Sequence, residues 1–225
     1  MAGGRGAWRL IYNLDRCMNA RPAAQSDLVD VLRRMGIRDS RVLAAYERVP
    51  RASFVPPSSR DSAYDDVPLP IGHDLVTTQP SLVAIMVQAL RLDGHERVLE
   101  IGTGLGYQTG ILATLTREVF SIEWFADLAE QARQNLTTAG LRNATVMVGD
   151  GSAGLPEQAP FDGIIVAAAA PNVSEPLIAQ LADGGRLVQP IGPGGDDEVT
   201  SFVKHSGRLV RQAVLIGAHF VPLLR

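Results

Sequence analysis

Three glycines at alternate positions, Gly102, Gly104 and Gly106, follow an apolar run that ends in Glu100 and Ile101. Glycines in a turn after a buried strand let the backbone approach a ligand closely, although they can also serve a tight turn alone. The G-x-G-x-G spacing differs from the G-x-G-x-x-G fingerprint of dinucleotide sites. A lysine followed by serine or threonine, which a triphosphate loop requires, does not follow the turn. The turn therefore disfavours NAD and nucleoside triphosphates.

Three acidic residues, Glu100, Glu123 and Asp150, stand at the ends of successive predicted strands. Glu100 lies beside the glycine turn, where it suits a cation better than a phosphate. Glu123 occupies the position from which an acid bonds ribose hydroxyls in other nucleotide folds. Asp150 can accept a hydrogen bond from an exocyclic amine such as that of adenine. Each carboxylate alone could be a surface residue, but together they predict a site for S-adenosyl-L-methionine, a nucleoside that carries a positively charged sulfur.

These residues need a parallel sheet whose strands end at one edge. From residue 97 onward, strand and helix patterns alternate, as is typical of a parallel sheet covered on both faces. The predicted strands span residues 97–101, 119–123, 145–148, 161–167 and 186–190, and the predicted helices span 107–115, 125–139 and 174–182. The C-terminal residues, with a turn at Ser206 and Gly207, predict an antiparallel hairpin on the sheet edge. The predicted fold class is α/β, a doubly wound, mostly parallel, seven-stranded sheet with N-terminal helices.

The region before the sheet is predicted to be helical and then irregular. Helices begin at Ser26 and Ser40, and another spans residues 81–92. Residues 50–80 have no clear period and are predicted to form a long loop, of the kind that is functional or disordered. Within it, residues 66–79 are a candidate lid.

The chain is predicted to contain one domain, residues 26–225, preceded by a flexible leader, residues 1–25. Within the domain, residues 26–92 supply the helices and the substrate loop, and residues 93–225 supply the cofactor-binding sheet. The arginines of the leader allow a targeting presequence as an alternative, but its apolar segment is too short for a signal peptide.

Composition limits the function classes. The 225 residues are 46% hydrophobic and carry a net charge of −3, which argues against a basic footprint for nucleic acid. The single cysteine, Cys17, excludes an internal disulfide. The longest apolar run, residues 164–170, is too short to span a membrane, and the four histidines are too scattered for a metal site. We therefore expect a soluble, cytoplasmic monomer without a bound metal.

Several motifs extend this interpretation to a family. The motifs are "RVPRASFVP", "AYDDVPLPIG", "RVLEIGTGLGYQT", "SIEW", "GDG", "PFDGIIVAAAAP", "LADGGRLVQPIGP" and "HFVPL". In this order, from about residue 42 to residue 223, the chain resembles the protein-L-isoaspartate O-methyltransferases, which are class I S-adenosyl-L-methionine-dependent enzymes. The glycine turn alone would indicate only a methyltransferase, whereas "RVPR" and the terminal "FVPL" are far more specific.

The resemblance implies a fold, an activity and a site. The activity is methylation of the free α-carboxylate of L-isoaspartyl residues in damaged proteins or peptides, after which the ester closes to a succinimide. Thr78 takes the position of the active-site serine, in a substrate-side loop that also includes Pro80. The predicted cofactor contacts are Thr77, Gln79, Glu100, Gly102, Thr103, Gly104, Glu123, Trp124, Asp150 and Gly151.

The substrate loop departs from the family pattern. The family commonly has I-G-x-G-Q-T-I-S-Q-P where this chain has "IGHDLVTTQP", so that Val76 replaces a threonine and Thr77 an isoleucine. Ala167 stands where threonine is frequent, and His219 replaces an arginine that could recognise an anionic peptide. These changes leave two alternatives open: a methyltransferase that acts on another peptide or small-molecule acid, and an S-adenosyl-L-methionine-binding protein without catalysis.

The chemistry needs little from the side chains. A carboxylate is already ionised at pH 7, so its methylation requires no strong base and no catalytic histidine. An anion and a cation give neutral products, so exclusion of water and alignment of the reacting atoms are expected to supply much of the acceleration. Thr78 is predicted to position the carboxylate, and its alternative role is to cap the helix that begins near Pro80.

Overall fold

The structure, a computed structural model, describes residues 24–225. Apart from Ala24 and Gln25, the leader predicted for residues 1–25 lies outside the described residues, as does Cys17. Gln25 already belongs to the first helix, and its side-chain amide donates to the carbonyl oxygens of Tyr46 and Glu47 at 2.7 and 2.9 Å. The first described helix therefore begins one residue before the predicted boundary at residue 26.

Nine strands occur in residues 24–225, and seven of them form the central sheet. In chain order they are β1 (Pro70–Gly72), β2 (Leu75–Val76), β3 (Arg97–Ile101), β4 (Glu118–Glu123), β5 (Ala144–Val148), β6 (Phe161–Val166), β7 (Leu181–Ile191), β8 (Asp197–His205) and β9 (Arg208–Ala218). β1 and β2 form a separate antiparallel hairpin, and the sheet has the order β5-β4-β3-β6-β7-β8-β9. Strands β3 to β7 are parallel, while β8 and β9 are antiparallel. The predicted fold class, with its hairpin at the sheet edge, is confirmed.

Six α-helices surround the sheet within the described residues. They are α1 (Gln25–Arg34), α2 (Ser40–Arg48), α3 (Pro80–Leu90), α4 (Tyr107–Leu115), α5 (Ala126–Thr138) and α6 (Glu175–Gln180). Helices α1 to α5 pack on the face that contains Val98, and α6 packs on the face that contains Leu99. Because side chains alternate along a strand, β3 contributes to both cores, and its carboxyl end lies centrally at the edge where the glycine turn begins.

The boundary between the last predicted helix and the strand that follows it differs from the prediction. The helix expected over residues 174–182 ends at Gln180, and the strand expected over 186–190 extends from Leu181 to Ile191. The side-chain ammonium of Lys204 explains the early end, since it donates to the carbonyl oxygens of Ile178 and Leu181 at 2.8 and 2.6 Å. Such contacts with the last carbonyls are a common way to end a helix.

Residues 50–80 are more regular than the predicted long loop. They contain two 3-10 helices, Arg51–Phe54 and Pro57–Ser62, and the β1–β2 hairpin. The prediction failed because the order of this segment comes from contacts that are distant in sequence. Whether residues 66–79 act as a lid stays a prediction.

The buried guanidinium of Arg51 organises this segment. Its side chain is fully buried and donates to the carbonyl oxygens of Ala63, Asp65 and Val67 at 3.1, 2.9 and 2.9 Å. It also donates to the Thr77 hydroxyl at 2.9 Å. Burial lowers the pKa of Arg51 from its usual value, but a guanidinium stays charged at any physiological pH. One side chain therefore ties residues 63–67 to Thr77, which lies between β2 and α3.

Replacement of Arg51 by methionine should destabilise the protein strongly. Three carbonyl oxygens would lose their donor inside the protein, and a buried polar group left without a partner costs about 1–3 kcal/mol. Urea unfolding would measure the loss, and limited proteolysis would show new cleavage between residues 60 and 78. The control is Arg48→Met, because Arg48 is exposed. Equal stability of the two variants would contradict the role of Arg51.

Candidate active site

A cavity of about 340 Å³ lies at the carboxyl ends of β3, β4 and β6. Two parts of the chain form its walls. The sheet side contributes the glycine turn, the end of β4 and the turn after β5, while the other side comes from the β1–β2 hairpin, the residues before α3 and the C-terminal segment. The residues that line the cavity include Ile71, His73, Val76, Thr77, Thr78, Gly102, Thr103, Gly104, Tyr107, Gln108, Glu123, Trp124, Phe125, Gly151, Ala167, Val221 and Leu224. The cavity lies within the size range of sites for small molecules and cofactors.

At two points of the wall there is little room for a side chain, and glycine occupies both. Gly104 has a φ of +54°, and a Cβ there would lie 3.3 Å from Cδ1 of Ile71 in the hairpin. A Cβ at Gly151 would lie 2.2 Å from Cγ2 of Ile101, a distance that no real contact allows. The glycine turn and the turn after β5 therefore keep their backbones close to the neighbouring walls, which leaves the cavity open to a ligand.

Glu100 does not line the cavity, contrary to the orientation expected from its position beside the glycine turn. It is fully buried on the α4 face of the sheet. Its carboxylate accepts hydrogen bonds from the Gln108 amide at 2.9 Å and from the hydroxyls of Thr109 and Ser121 at 2.5 Å each. Burial raises the pKa of Glu100 to about 7, against the opposing effect of these donors. Glu100 thus joins β3, β4 and α4 behind the turn.

Glu123 does line the cavity, and its predicted contact with the cofactor ribose stays a prediction. Its carboxylate is buried and accepts the backbone N–H of Gly104 at 2.8 Å and that of Phe125 at 3.0 Å. Thr103 lies beside it and shares a 2.6 Å hydrogen bond with Ser121, which also contacts Glu100. The acid at the end of β4 therefore both fixes the glycine turn and presents a negative charge to the cavity.

The turn after β5 brings one predicted contact to the cavity and leaves another outside. Gly151 lines the wall together with Trp124, whose side chain is partly exposed at the rim. Asp150 is exposed and does not line the cavity, and its Oδ1 accepts the backbone N–H of Ser152 at 2.8 Å. The contact of Asp150 with an adenine amine stays a prediction.

The substrate loop separates the roles of three adjacent residues. Thr77 lines the cavity, but its hydroxyl is held by Arg51 and by the backbone N–H of Leu69 at 3.1 Å. Thr78 also lines the cavity, and its hydroxyl has no hydrogen-bond partner among the described residues. Gln79 points away from the cavity, because its amide donates to Asp66 at 2.9 Å.

Asp66, rather than Thr78, caps helix α3. Its Oδ1 accepts the backbone N–H of Ser81 at 2.8 Å, and no side chain at the N-cap position Gln79 does so. The alternative role predicted for Thr78, as a helix cap, is therefore wrong. The hydroxyl of Thr78 remains available to a ligand in the cavity.

The tip of the β1–β2 hairpin is clasped to the start of α5. His73 Nε2 lies 2.9 and 3.0 Å from the two carboxylate oxygens of Asp127, and the His73 ring stacks on Phe125 at 3.9 Å. The hydrogen bond with His73 lowers the pKa of Asp127. Local sequence patterns do not indicate this contact, since its partners are 54 residues apart.

The C-terminal segment completes the far wall. The backbone N–H of Ala169 donates to the carbonyl oxygen of Val221, and that of Leu223 donates to Ala169, both at 2.8 Å. Buried Asp197 also accepts the backbone N–H of Phe220 at 3.1 Å. Val221 and Leu224, at 40% and 43% exposure, therefore form an apolar rim. The "HFVPL" motif was the signal for this wall in the sequence.

The departures noted in the sequence fall in different places. Val76, 38% exposed, and Ala167 both line the cavity, whereas His219 is exposed and does not line it. The replacement at residue 219 therefore changes the outer surface, and those at residues 76 and 167 remove polar groups from the cavity wall. Among the described residues, no cluster of three or more His, Cys, Asp or Glu side chains could hold a metal ion.

The geometry agrees with comparisons to known proteins. Residues 23–225 match the family model described as protein-L-isoaspartate(D-aspartate) O-methyltransferase. A protein-L-isoaspartate O-methyltransferase of Methanoculleus marisnigri is 48% identical over 193 residues, which cover 86% of this chain and 87% of the relative.

Solved structures show the same fold. A protein-L-isoaspartate O-methyltransferase superposes with a TM-score of 0.78 and 29% identity over 88% of this chain, which spans 65% of that structure's length. A Plasmodium falciparum structure in complex with S-adenosyl-L-homocysteine gives a TM-score of 0.78 at 22% identity, over 90% of this chain and 99% of its own.

The carboxyl of Glu100 should make stability depend on pH. Its pKa is raised from 4.5 to about 7, so the folded state binds more protons than the unfolded state between these values. Stability should therefore fall as the pH rises through this window, by on the order of 3 kcal/mol. Glu100→Gln should remove most of this dependence, as measured by urea unfolding from pH 5 to 8, whereas exposed Glu157→Gln should retain it. Parallel profiles of the wild type and Glu100→Gln would contradict the assignment.

Proposed function

We propose that the cavity is divided into a cofactor side and a substrate side, because the chain belongs to the protein-L-isoaspartate(D-aspartate) O-methyltransferase family. It is an S-adenosyl-L-methionine-dependent methyltransferase of the α-carboxylate of L-isoaspartyl residues. The observation that carries this proposal is that the glycine turn with Glu123 and the loop with Thr78 line the same cavity. A methyl donor and an acceptor held by these two walls would meet inside it.

The residues of the sheet side fit the cofactor. Glu123 offers a buried carboxylate at the position that bonds ribose hydroxyls in related nucleotide folds. A side chain at Gly104 would crowd Ile71 and one at Gly151 would clash with Ile101, so both glycines are needed for the present shape of the wall. Trp124 offers an apolar face at the rim. When bound, S-adenosyl-L-methionine supplies a methyl group on a positively charged sulfur. Within this proposal Glu100 and Gln79 act indirectly, through the residues that they hold.

The substrate side is proposed to hold an ionised carboxylate. Thr78 can donate its hydroxyl to an acceptor oxygen, since no other group in the described residues engages it. No base is needed, because a carboxylate is already the nucleophile at neutral pH. The β1–β2 hairpin and the C-terminal segment would exclude water from the cavity, and this would strengthen the attraction between the acceptor carboxylate and the sulfonium. The two walls would also align the reacting atoms.

A second candidate is a methyltransferase of the same family that acts on another peptide or a small acid. Val76 favours it, because an exposed apolar side chain lines the cavity where the family commonly has a threonine. The other alternative, a binding protein without catalysis, is opposed by the Thr78 hydroxyl, which lines the cavity where it could position an acceptor.

Three narrower proposals concern the setting of the reaction. We propose a cytoplasmic monomer that does not engage nucleic acid. The net charge of −3 and the single cysteine support this proposal. None of the helices in residues 24–225 is long and apolar enough to cross a membrane.

The purified protein should form a base-labile methyl ester on an L-isoaspartyl peptide in the presence of labelled S-adenosyl-L-methionine. The matched peptide with a normal aspartyl residue should remain unlabelled, because its side-chain carboxylate is placed differently from the backbone. Cofactor binding without any labelled isoaspartyl peptide would favour the second candidate.

Thr78→Val should lower turnover of the isoaspartyl peptide more than it lowers cofactor affinity. The variant keeps the shape of the side chain and loses only the hydrogen bond to a charged group, which is worth roughly tenfold to a hundredfold in kcat/KM. Thr78→Ser should keep most of the activity, and Thr138→Val, on the exposed side of α5, serves as control. Equal losses in kcat/KM and in cofactor affinity would contradict the substrate-side role.

A further inference from the structure

Several positions of the chain have the sequence at which aspartate isomerises. Where glycine follows aspartate, no side chain hinders the glycine nitrogen, which can attack the side-chain carboxyl carbon of the aspartate and release water. The succinimide formed in this way takes up water again and opens in part to L-isoaspartate, whose α-carboxylate is free. The Asp-Gly pairs of this chain begin at Asp93, Asp150, Asp162 and Asp183.

At two of these pairs, hydrogen bonds and burial hold the reacting groups. The backbone N–H of Gly94 donates to Glu96 Oε2 at 2.9 Å, so this nitrogen is not free to attack. The Asp150 carboxylate accepts the backbone N–H of Ser152 at 2.8 Å, and Gly151 is buried. Ring closure at either pair would have to break this local structure.

The pair that begins at Asp162 is held by the sheet. Its carboxylate accepts the backbone N–H of Arg97 at 2.8 Å. Gly163 lies within β6 and pairs with both neighbouring strands, β3 and β7. Attack by the nitrogen of Gly163 would therefore disrupt the centre of the sheet.

The pair Asp183–Gly184 lacks these restraints. It lies in residues 182–185, which bulge out of the sheet, since β7 pairs with β6 on either side of these residues but not at them. Both residues of the pair are exposed, and a Cβ at Gly184 would meet nothing within 4 Å. Among the described residues, the Asp183 carboxylate accepts one hydrogen bond, from the backbone N–H of exposed Gly207 at 3.2 Å. This pair is therefore the one at which the ring can close without disturbing the fold.

The bulge lies at the opposite edge of the sheet from the cavity. Leu181, just before the bulge, pairs with Phe161 at the start of β6, whereas the cavity lies at the carboxyl end of β6. At a rise of about 3.3 Å per residue, the length of β6 alone separates the two by roughly 15–20 Å. A folded chain therefore cannot place its own residue 183 in its own cavity, and only another copy can receive it.

We propose that Asp183–Gly184 isomerises to L-isoaspartate in the folded protein and that a second copy of this chain methylates the damaged site. An oxygen of the free α-carboxylate takes the methyl group from the sulfonium of S-adenosyl-L-methionine, and S-adenosyl-L-homocysteine leaves. The backbone nitrogen of Gly184 then attacks the ester carbonyl, its proton passes to the departing methoxide, and the succinimide forms again with loss of methanol. This inference rests on the proposed function, and it makes the chain one of its own protein substrates.

Ageing of the purified protein at physiological temperature and pH, without a methyl donor, tests the choice of site. Mass spectrometry with peptide fragmentation should find L-isoaspartate mainly at residue 183, and much less at residues 93, 150 and 162. Isomerisation mainly at one of those three positions, or none at residue 183, would overturn the proposal.

Aged variants test whether this site is methylated. With labelled S-adenosyl-L-methionine, the aged wild type should acquire a base-labile methyl ester. Asp183→Glu should lose most of this label, because the longer side chain would have to close a six-membered ring, which forms far more slowly. The matched control is Asp93→Glu, at an exposed aspartate of another Asp-Gly pair, and it should keep the label. Equal labelling of these two aged variants would contradict the assignment.

The transfer between copies has a separate kinetic test. Fresh Asp183→Glu protein serves as added enzyme, because it cannot be damaged at this site. The initial rate of labelling per aged wild-type chain should rise in proportion to the enzyme added. A rate that does not change with added enzyme would show transfer within one chain and overturn the proposal.

A synthetic isoaspartyl peptide separates failure of this inference from failure of the proposed function. Methylation of the peptide, but not of aged protein that contains L-isoaspartate at residue 183, would overturn the inference and leave the function intact. If neither is methylated, the function itself is refuted, and the inference with it.

Discussion

The buried carboxylate of Glu100 is the interaction on which the cofactor wall depends. Removing a charge from water is expensive unless hydrogen bonds compensate it, and Glu100 obtains three of them from α4 and β4. These donors also fix the end of β3 against its neighbours at the point where the glycine turn begins. Ser121 also shares a hydrogen bond with Thr103, and Gln108 lines the cavity. Both residues are therefore held in place by their contacts with Glu100. The turn can therefore consist of flexible glycines and still have one conformation.

A second buried charge plays the corresponding part on the opposite wall. Arg51 gathers carbonyl oxygens from a segment that has little regular structure of its own, and it holds Thr77 beside the cavity. The carboxyl of Glu100 and the guanidinium of Arg51 have separate sets of partners. Each supports one wall, and the reactants are proposed to meet between them. The chemistry itself then needs few participating side chains, because most of the polar residues serve to hold the walls in position.

The parts of the fold that follow from short-range patterns could be predicted from the sequence. The strand at 97–101 and the helix at 107–115 have the predicted bounds because apolar periodicity and glycines define them locally. Side-chain direction was harder, since it depends on which face of the sheet each residue occupies, and Glu100 and Gln79 were therefore expected to face the ligand. The order of residues 50–80 and the pairing of His73 with Asp127 could not be predicted, because their partners are far apart in the sequence.

The clasp between His73 and the start of α5 has a consequence for how small molecules enter and leave. It consists of one exposed hydrogen-bonded contact between His73 and Asp127 and one ring stack, and exposed contacts of this kind contribute little to stability. Opening of the hairpin would therefore break few contacts and leave the two cores of the sheet intact. If residues 66–79 act as the predicted lid, exchange of the spent nucleoside would not depend on the global stability of the domain, and mutations at this contact would alter product release rather than the fold.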